Sequence, residues 1–150
     1  MIEFLPMRED HLNAVLAIEI LAHPSPWTRG NFKDSMRGGH TAVLMQEEAA
    51  VLGYAVLMPL PEEAELLNIT VAPARQRGGL GRQLLEHVCA LAQEQGAQRM
   101  FLEVRASNLP ARTLYGHSGF SEVGLRRGYY AAAPGSENAR EDAILMAREL

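Results

Sequence analysis

The sequence contains little cysteine, no excess of positive charge and no long apolar segment. Its single cysteine, Cys89, cannot form a disulfide within the chain, which is typical of proteins from a reducing compartment. The formal net charge of −4 and the pI near 5.7 exclude the basic surface that general nucleic-acid and membrane-surface binders need. We therefore expect neither a nucleic acid nor a membrane as a partner.

Targeting and metal-binding signals are also missing. The first ten residues, MIEFLPMRED, have acidic residues where a signal peptide would carry basic ones. The longest nearly unbroken apolar stretch, AAVLGYAVLMPLP, is too short to cross a bilayer and contains two prolines. His87 and His117 lack the spacing of metal ligands, so we predict no metal site. We expect a cytoplasmic protein whose residues 1–150 form one domain.

The apolar pattern predicts strands and helices that alternate around a mixed sheet. A short strand at 2–6 precedes a helix at 8–23, with Asp10 as its cap and Leu12, Val15, Leu16 and Glu19 at helical spacing. Thr28 can cap a second helix that runs to about Met36. The remaining predicted elements are strands at 41–47, 51–60, 64–71 and 99–105, helices at 79–95 and from 108, and closing strands at 120–130 and 140–150.

Flexible residues and positive charge are concentrated just before the third predicted helix. Three glycines and three arginines lie there: Gly78, Gly79, Gly81, Arg75, Arg77 and Arg82. A helix N-terminus presents unpaired N–H groups and about half a positive charge. Glycines let a phosphate approach that backbone without a Cβ in the way. The stretch 75–82 therefore predicts a polyphosphate-binding turn between a strand and a helix.

The glycine spacing separates three kinds of phosphate-binding loop. A P-loop would end in Gly-Lys-Ser/Thr, and this stretch has no lysine. The dinucleotide fingerprint would place a third glycine where Leu84 stands. The letters QRGGLG at 76–81 do fit Gln/Arg-x-x-Gly-x-Gly/Ala, which resembles the pyrophosphate loop of the GCN5-related N-acetyltransferases (GNAT), enzymes that bind acetyl-CoA. The alternative is a glycine-rich turn with solvated arginines.

A carboxylate interrupts the apolar strand MFLEVR. Strand alternation places Glu103 on one face with Phe101 and Arg105. A carboxylate in such a strand is expensive to bury unless it is paired, and a partly desolvated carboxylate is well suited to accept a proton. The strand alone leaves two interpretations open: a general base, or an ion pair with Arg105 or with a neighbouring strand.

Two polar residues follow this strand on the next helix. Asn108 and Tyr115 are seven residues apart, so two helical turns bring them to nearly the same face. Taken alone, Asn108 is a natural helix cap and Tyr115 an amphipathic core residue. Their position directly after the Glu103 strand favours a shared site.

Longer stretches extend the resemblance to essentially the whole chain. The RimI family, the ribosomal-protein alanine N-acetyltransferases, is similar in the letters LEVRASN (102–108), TLYGHSGF (113–120), NITV (68–71), QRGGLGRQLLE (76–86) and RRGYY with REDAILMA near the end. The resemblance implies an α/β (α+β) fold, a single GNAT-like domain whose mixed, mostly antiparallel sheet has about seven strands and about four helices.

The resemblance also implies roles for individual residues. Glu103 would be the general base, acting through water, and Tyr115 the general acid that protonates the leaving thiolate. Asn108 would bind the cosubstrate, acetyl-CoA. The strand end would hold the acetyl and pantetheine groups and the glycine loop the pyrophosphate, through Ile69, Thr70, Val71, Gln76, Arg77, Gly78, Gly79, Leu80, Gly81 and Arg82.

The implied acceptor is the N-terminal alanine of a small-subunit ribosomal protein, with other protein partners left open. An α-amine has a pKa of about 7.7–8.0, against about 10.4 for lysine, so a modest base suffices. The alternatives are acetylation of a lysine or a small-molecule amine, and a non-catalytic acetyl-CoA-binding module. Two departures from the family pattern, Gly128 and a long loop at 131–139, lie where the acceptor peptide is expected.

Overall fold

Helices and strands alternate around one sheet, as the apolar pattern predicts. A computed structural model describes residues 1–132 and 140–150, and within them the sheet has seven strands in the order β1-β2-β3-β4-β5-β7-β6, with four α-helices. The strands are β1 (Ile2–Pro6), β2 (Thr41–Glu47), β3 (Ala50–Leu60), β4 (Glu63–Val71), β5 (Arg99–Arg105), β6 (Ser121–Ala131) and β7 (Arg140–Glu149). The helices are α1 (Leu12–Ala22), α2 (Arg29–Arg37), α3 (Leu80–Glu94) and α4 (Leu109–His117).

All neighbouring strands are antiparallel except β4 and β5, which are parallel. The predicted fold class is therefore confirmed. Within the described ranges, no helix combines the length and the apolar content that crossing a bilayer requires. The predicted long loop at 131–139 lies mostly outside the described residues.

A local capping signal explains where α2 begins but not where α1 begins. The Thr28 hydroxyl accepts a hydrogen bond from the Asn31 N–H at 3.1 Å, and α2 starts at the next residue, as predicted. The prediction for Asp10 is wrong. Residues Glu9–His11 form a short 3-10 turn ahead of α1, and the Asp10 carboxylate lies 3.3 Å from the Arg8 guanidinium instead of capping the helix.

Each face of the sheet has its own hydrophobic core. Helices α3 and α4 cover one face, where Leu84, Val88 and Tyr115 are buried. Helices α1 and α2 cover the other face, where Leu12, Val15 and Phe32 are buried. The two layers of helices thus cover both sides of β3 and β4, whereas on the α1 side the residues of β5 are only half-buried.

The single thiol belongs to the first of these cores. Cys89 is buried in α3, and its Sγ lies 3.9 Å from Met100 Sδ. Burial raises the pKa of the Cys89 thiol to about 11, so the thiolate is scarce at neutral pH.

The parallel strands β4 and β5 pair along only part of their length. Their ladder joins Glu63–Leu66 to Arg99–Leu102 and then stops. Beyond it, β4 stays paired with β3 and β5 stays paired with β7. The two strands therefore diverge, and a gap opens in the middle of the sheet.

A β-bulge in β4 lies at the point of divergence. Val56 of β3 is opposite Asn68 and Leu57 is opposite Leu66, so Leu67 is the extra residue. Leu66 packs in the core beneath α3, whereas Leu67 packs in the core beneath α1. The bulge thereby moves the side chain of Asn68 to the α1 side of the sheet, where it bonds a residue of α1.

Candidate active site

The divergence of β4 and β5 opens a cleft of about 250 Å³. Residues 67–69 and 103–105 at the strand ends form its walls, α4 bounds it on one side, and the segment after α1 bounds it on the other. Tyr130 of β6 contributes an aromatic ring to the lining. Because the strands have separated, side chains from both faces of the sheet reach the same space.

Glu103 enters this cleft from the α1 face of β5. Its Oε1 lies 3.3 Å from Arg126 Nε, and the Glu103 side chain is 16% exposed. Glu103 thus forms an ion pair, but neither with Arg105, whose partner is Glu141, nor with a strand next to β5, because β7 separates β5 from β6. Since the Arg126 side chain is itself half exposed, the pair leaves the carboxylate on the cleft wall.

Tyr115 reaches the cleft from the opposite face of the sheet. It lies on α4 and lines the cleft together with Asn108 and Ala111, as the seven-residue spacing predicts. Burial, and to a lesser degree the nearby Tyr130, raise the pKa of the Tyr115 hydroxyl far above its usual value. The hydroxyl therefore retains its proton throughout the physiological pH range.

Asn108 has a structural role that the sequence also anticipates. Its Oδ1 accepts a hydrogen bond from the Ala111 N–H at 3.3 Å, so Asn108 is the N-cap of α4. The residue lines the cleft as well. The cap fixes where α4 begins and thereby the direction in which Tyr115 enters the cleft.

The predicted phosphate-binding stretch connects the end of β4 to the first turn of α3. Gly79 is the N-cap of α3 and has φ +80°, a left-handed conformation that favours glycine. No side chain in the described ranges caps this 15-residue helix, which leaves its first-turn N–H groups available to an anion. Arg77 and Arg82 are exposed beside this helix end.

Two features fix the position of the loop: a hydrogen bond to β4 and a close approach of α3 to α4. Gln76 Nε2 donates a hydrogen bond to the Val71 carbonyl at 3.1 Å, which fastens the loop to β4. A Cβ at Gly81 would lie 3.3 Å from Leu114 Cδ2, so glycine lets α3 start against α4. The side chain of Gln76 thus braces the loop, while the backbone of 77–79 is exposed.

A buried carboxylate lies beneath the cleft, and the sequence analysis did not assign it a role. Glu19 of α1 is 1% exposed and is part of the cleft lining. It accepts hydrogen bonds from the Tyr54 hydroxyl at 2.6 Å, the Trp27 N–H at 3.0 Å and Asn68 Nδ2 at 3.3 Å. Four donor contacts to two oxygens satisfy an ionised carboxylate, because Asn68 Nδ2 is 3.3 Å from both of them.

A chain of hydrogen bonds leads from Glu19 to Asn68, Thr70 and His23, and in each bond the residue farther from Glu19 is the donor. Asn68 donates to Glu19 through its amide nitrogen and accepts from the Thr70 hydroxyl at 2.7 Å. Since that hydroxyl has only one proton, it accepts from His23 Nε2, which lies 2.7 Å away. The network fixes the bulged segment of β4 against α1 and uses the Thr70 side chain, so only the Thr70 backbone is left for a ligand.

The residues predicted for the site fall into three groups, one of which, Thr70 and Val71 at the end of β4, is not part of the cleft lining. Glu103, Tyr115, Asn108 and Ile69 line the cleft. The glycine loop lies at the N-terminus of α3, directly after β4. Helical spacing places Glu19 among the apolar residues of the buried face of α1. A charged residue at such a position indicates a buried hydrogen-bond network, and this is the feature from which the role of Glu19 could have been predicted.

Both a protein family model and individual known proteins resemble this chain over most of its length. The acetyltransferase (GNAT) family model matches residues 12–120. The [ribosomal protein bS18]-alanine N-acetyltransferase of Escherichia coli strain K12 is 39% identical over 136 residues, which cover 91% of this chain and 89% of that protein.

Solved structures are similar over nearly the whole chain. The crystal structure of the ribosomal-protein-S18-alanine N-acetyltransferase from Escherichia coli has a TM-score of 0.89 at 36% identity and covers 99% of this chain and 94% of that one. A GNAT family acetyltransferase from Elizabethkingia anophelis with acetyl-CoA bound has a TM-score of 0.78 at 26% identity and covers 99% and 98% of the two chains. With a family model that spans most of its length and a relative of this similarity, the chain belongs to the acetyltransferase (GNAT) family.

Proposed function

We propose that this protein transfers the acetyl group of acetyl-CoA to the N-terminal α-amine of a protein, and that the substrate is a small-subunit ribosomal protein that begins with alanine. One observation carries the proposal: Glu103 and Tyr115 meet in one cleft although they lie on opposite faces of the sheet. The similarity to the bS18-alanine N-acetyltransferase of Escherichia coli supports the choice of acceptor. A ribosomal substrate places the reaction in the cytoplasm.

The glycine loop and the end of β4 are the proposed cosubstrate site. The uncapped start of α3 and the backbone of 77–82 bind the pyrophosphate, assisted by Arg77 and Arg82. The backbone of 69–71 and Asn108 bind the pantetheine arm beside the cleft. Acetyl-CoA supplies the acetyl group as a thioester, which is activated for attack by an amine.

Proton transfers are assigned to the two side chains on the cleft walls. Glu103 accepts the proton that the acceptor ammonium must lose before it becomes a nucleophile, with water as the intermediary. A tyrosine hydroxyl is protonated near neutral pH, and Tyr115 donates this proton to the departing thiolate. An α-amine has a pKa of about 7.7–8.0, so a single carboxylate is a sufficient base near neutral pH.

Steady-state kinetics with peptides of defined N-terminus tests the proposal. The rate of CoA release is measured with an alanine-initiated peptide, the same peptide with a blocked N-terminus and an internal lysine, and a polyamine. Glu103→Gln and Tyr115→Phe are compared with Glu63→Gln and Tyr129→Phe, which change the same residue types outside the cleft. We expect each cleft variant to lose about 10²-fold or more in kcat, with the KM for acetyl-CoA little changed.

Three results would contradict parts of the proposal. Full activity in both cleft variants would remove the assigned roles of Glu103 and Tyr115. Turnover of the blocked peptide or the polyamine without turnover of the free N-terminus would show a different acceptor. Tight binding of acetyl-CoA without turnover of any amine would show a non-catalytic binding module.

A further inference from the structure

Arg105 joins the segments that form the outer wall of the cleft. Its guanidinium donates to the Ala131 carbonyl at 2.7 Å and to Glu141 Oε1 at 3.1 Å, and its other terminal nitrogen donates to Ser25 Oγ at 3.2 Å. The same group lies 4.6 Å from the centre of the Tyr130 ring. One side chain of β5 thus connects the segment after α1 to the end of β6 and to β7.

These contacts leave Arg105 poorly suited to bind a substrate directly. The side chain is only 14% exposed, and both terminal nitrogens already donate to protein acceptors. A planar guanidinium is suited to this arrangement because its donors point in fixed and different directions. Its role is therefore to hold other groups in place.

Glu141 of β7 binds the Arg105 guanidinium through an ion pair. The Glu141 carboxylate accepts from Arg105 through one oxygen and from the Ser107 N–H at 2.8 Å through the other. Hydrogen bonds from Ser107 and from the Arg105 guanidinium lower the pKa of the Glu141 carboxyl. The carboxylate therefore remains charged near neutral pH and connects Arg105 to the turn that precedes α4.

The backbone of β6 is adapted to present Tyr130 to this cluster. Between the paired residues Arg126 and Tyr130, three residues of β6 lie opposite a single residue of β7. Gly128 lies in this bulge with φ +58°, and its N–H donates to the Asp142 carboxylate at 2.8 Å. Tyr130 emerges from the bulge into the cleft lining, where Arg105 stacks on its ring.

We propose that Arg105 is a positioning residue that sets the acceptor specificity: by tying Ser25, Tyr130 and the end of β6 together, it fixes a narrow opening that admits only a small first residue beside the acceptor amine. This inference rests on the proposed function. Ser25, Arg105 and Tyr130 all line the cleft, so the contacts of Arg105 fix the position of the wall against which the first side chain of the acceptor packs. A fixed wall limits the size of the side chain that packs against it.

The experiment measures selectivity and not activity alone. Wild type, Arg105→Gln and Arg105→Lys are assayed with peptides that begin with alanine, serine or leucine and are otherwise identical. Arg99→Gln is the matched control, because Arg99 lies on the same strand and face, forms ion pairs with Glu63 and Glu149, and does not line the cleft.

Loss of the contacts that Arg105 makes is expected to weaken acceptor binding without a matching loss in the catalytic step. Both Arg105 variants should raise the KM for the alanine peptide about tenfold, leave the KM for acetyl-CoA unchanged and reduce the preference for alanine over leucine about tenfold or more. Arg105→Lys should not rescue the preference, because one ammonium cannot replace three contacts in fixed directions. If the Arg105 variants do not fold, Ser25→Ala removes one tether only and should reduce the same preference.

Unchanged preference in folded Arg105 variants, or equal loss in kcat and in both KM values, would overturn the role of Arg105. If Ser25→Ala is the variant measured, an unchanged preference would have the same meaning. Wild-type inactivity towards all three peptides would instead overturn the proposed function. The two failures are thus distinguishable within one set of assays.

Discussion

Removing the buried carboxylate of Glu19 should destabilise the whole protein. In Glu19→Ala, the Tyr54 hydroxyl and the Asn68 amide lose a buried acceptor, and the Trp27 N–H loses a part-buried one. Each unsatisfied buried donor costs about 1–3 kcal/mol. Relief of the desolvation of the charge offsets part of this cost. We expect a net loss of about 4 kcal/mol in the free energy of unfolding.

A graded series separates charge from hydrogen bonding at this position. Glu19→Gln keeps one acceptor oxygen, which the Trp27 N–H requires because a backbone donor cannot reverse its role. Its charge-assisted hydrogen bonds become neutral ones, so we expect a loss of about 2 kcal/mol. Tyr54→Phe removes one donor and should cost about 1–2 kcal/mol. The Glu19→Gln/Tyr54→Phe double variant should lose less than the sum of the two, because the residues share a hydrogen bond.

Urea unfolding followed by circular dichroism measures these free energies. Glu94→Ala, an exposed glutamate at the end of α3, is the matched control and should change stability by less than about 0.5 kcal/mol. For a chain of this size, each kcal/mol lowers Tm by roughly 2–4 °C. A loss below about 1 kcal/mol in Glu19→Ala would refute the reasoning, since two buried donors and one part-buried donor that have lost their acceptor should cost more than that.

Three further predictions concern burial and close contact. Burial raises the pKa of the Cys89 thiol to about 11, so the native protein should not react with Ellman's reagent at pH 8. In urea, the single thiol should react. Rapid reaction of the folded chain would contradict the buried position of Cys89. Gly53→Ala would place a Cβ 2.5 Å from the Thr70 carbonyl oxygen, so β3 and β4 must separate, and urea unfolding should show a loss of about 1–3 kcal/mol; an unchanged midpoint would contradict the close approach. Burial raises the pKa of Tyr54, Tyr115 and Tyr130, so the folded state binds their hydroxyl protons more tightly than the unfolded state does. The free energy of unfolding should therefore fall as the pH rises above about 10. Equal urea midpoints at about pH 8 and pH 10.5 would contradict these pKa shifts.

Local features of the fold and site were predictable from the sequence. Apolar periodicity is a property of residues close together in the sequence, so it can be recognised without knowledge of the fold. It predicted all seven strands and four helices close to their observed positions. The spacing of Asn108 and Tyr115 likewise depends only on helix geometry, and both residues line the cleft as expected. The glycine loop lies between β4 and α3, where the pattern indicated.

Features that depend on distant partners were not predictable. Simple alternation assigns Leu66, Asn68 and Thr70 to one face of β4, but the bulge at Leu67 moves the last two to the other side. Two of the three hydrogen-bond partners of Glu19 are 35 and 49 residues away, and the hydrogen-bond partners of Arg105 are 26 to 80 residues away. Sequence reasoning could mark such residues as polar and buried, but their pairing follows from the tertiary fold.

The early end of the β4–β5 ladder has a consequence for recognition. Past Leu66 and Leu102, the two facing edges have main-chain donors and acceptors that no strand of the described residues completes. An extended ligand that contains amide groups can supply the missing strand, in the manner of β-augmentation. Such pairing is indifferent to side-chain identity. We therefore expect the main chain in the middle of the sheet to contribute affinity for any extended amide-containing ligand, and the side chains that line the cleft to discriminate among such ligands.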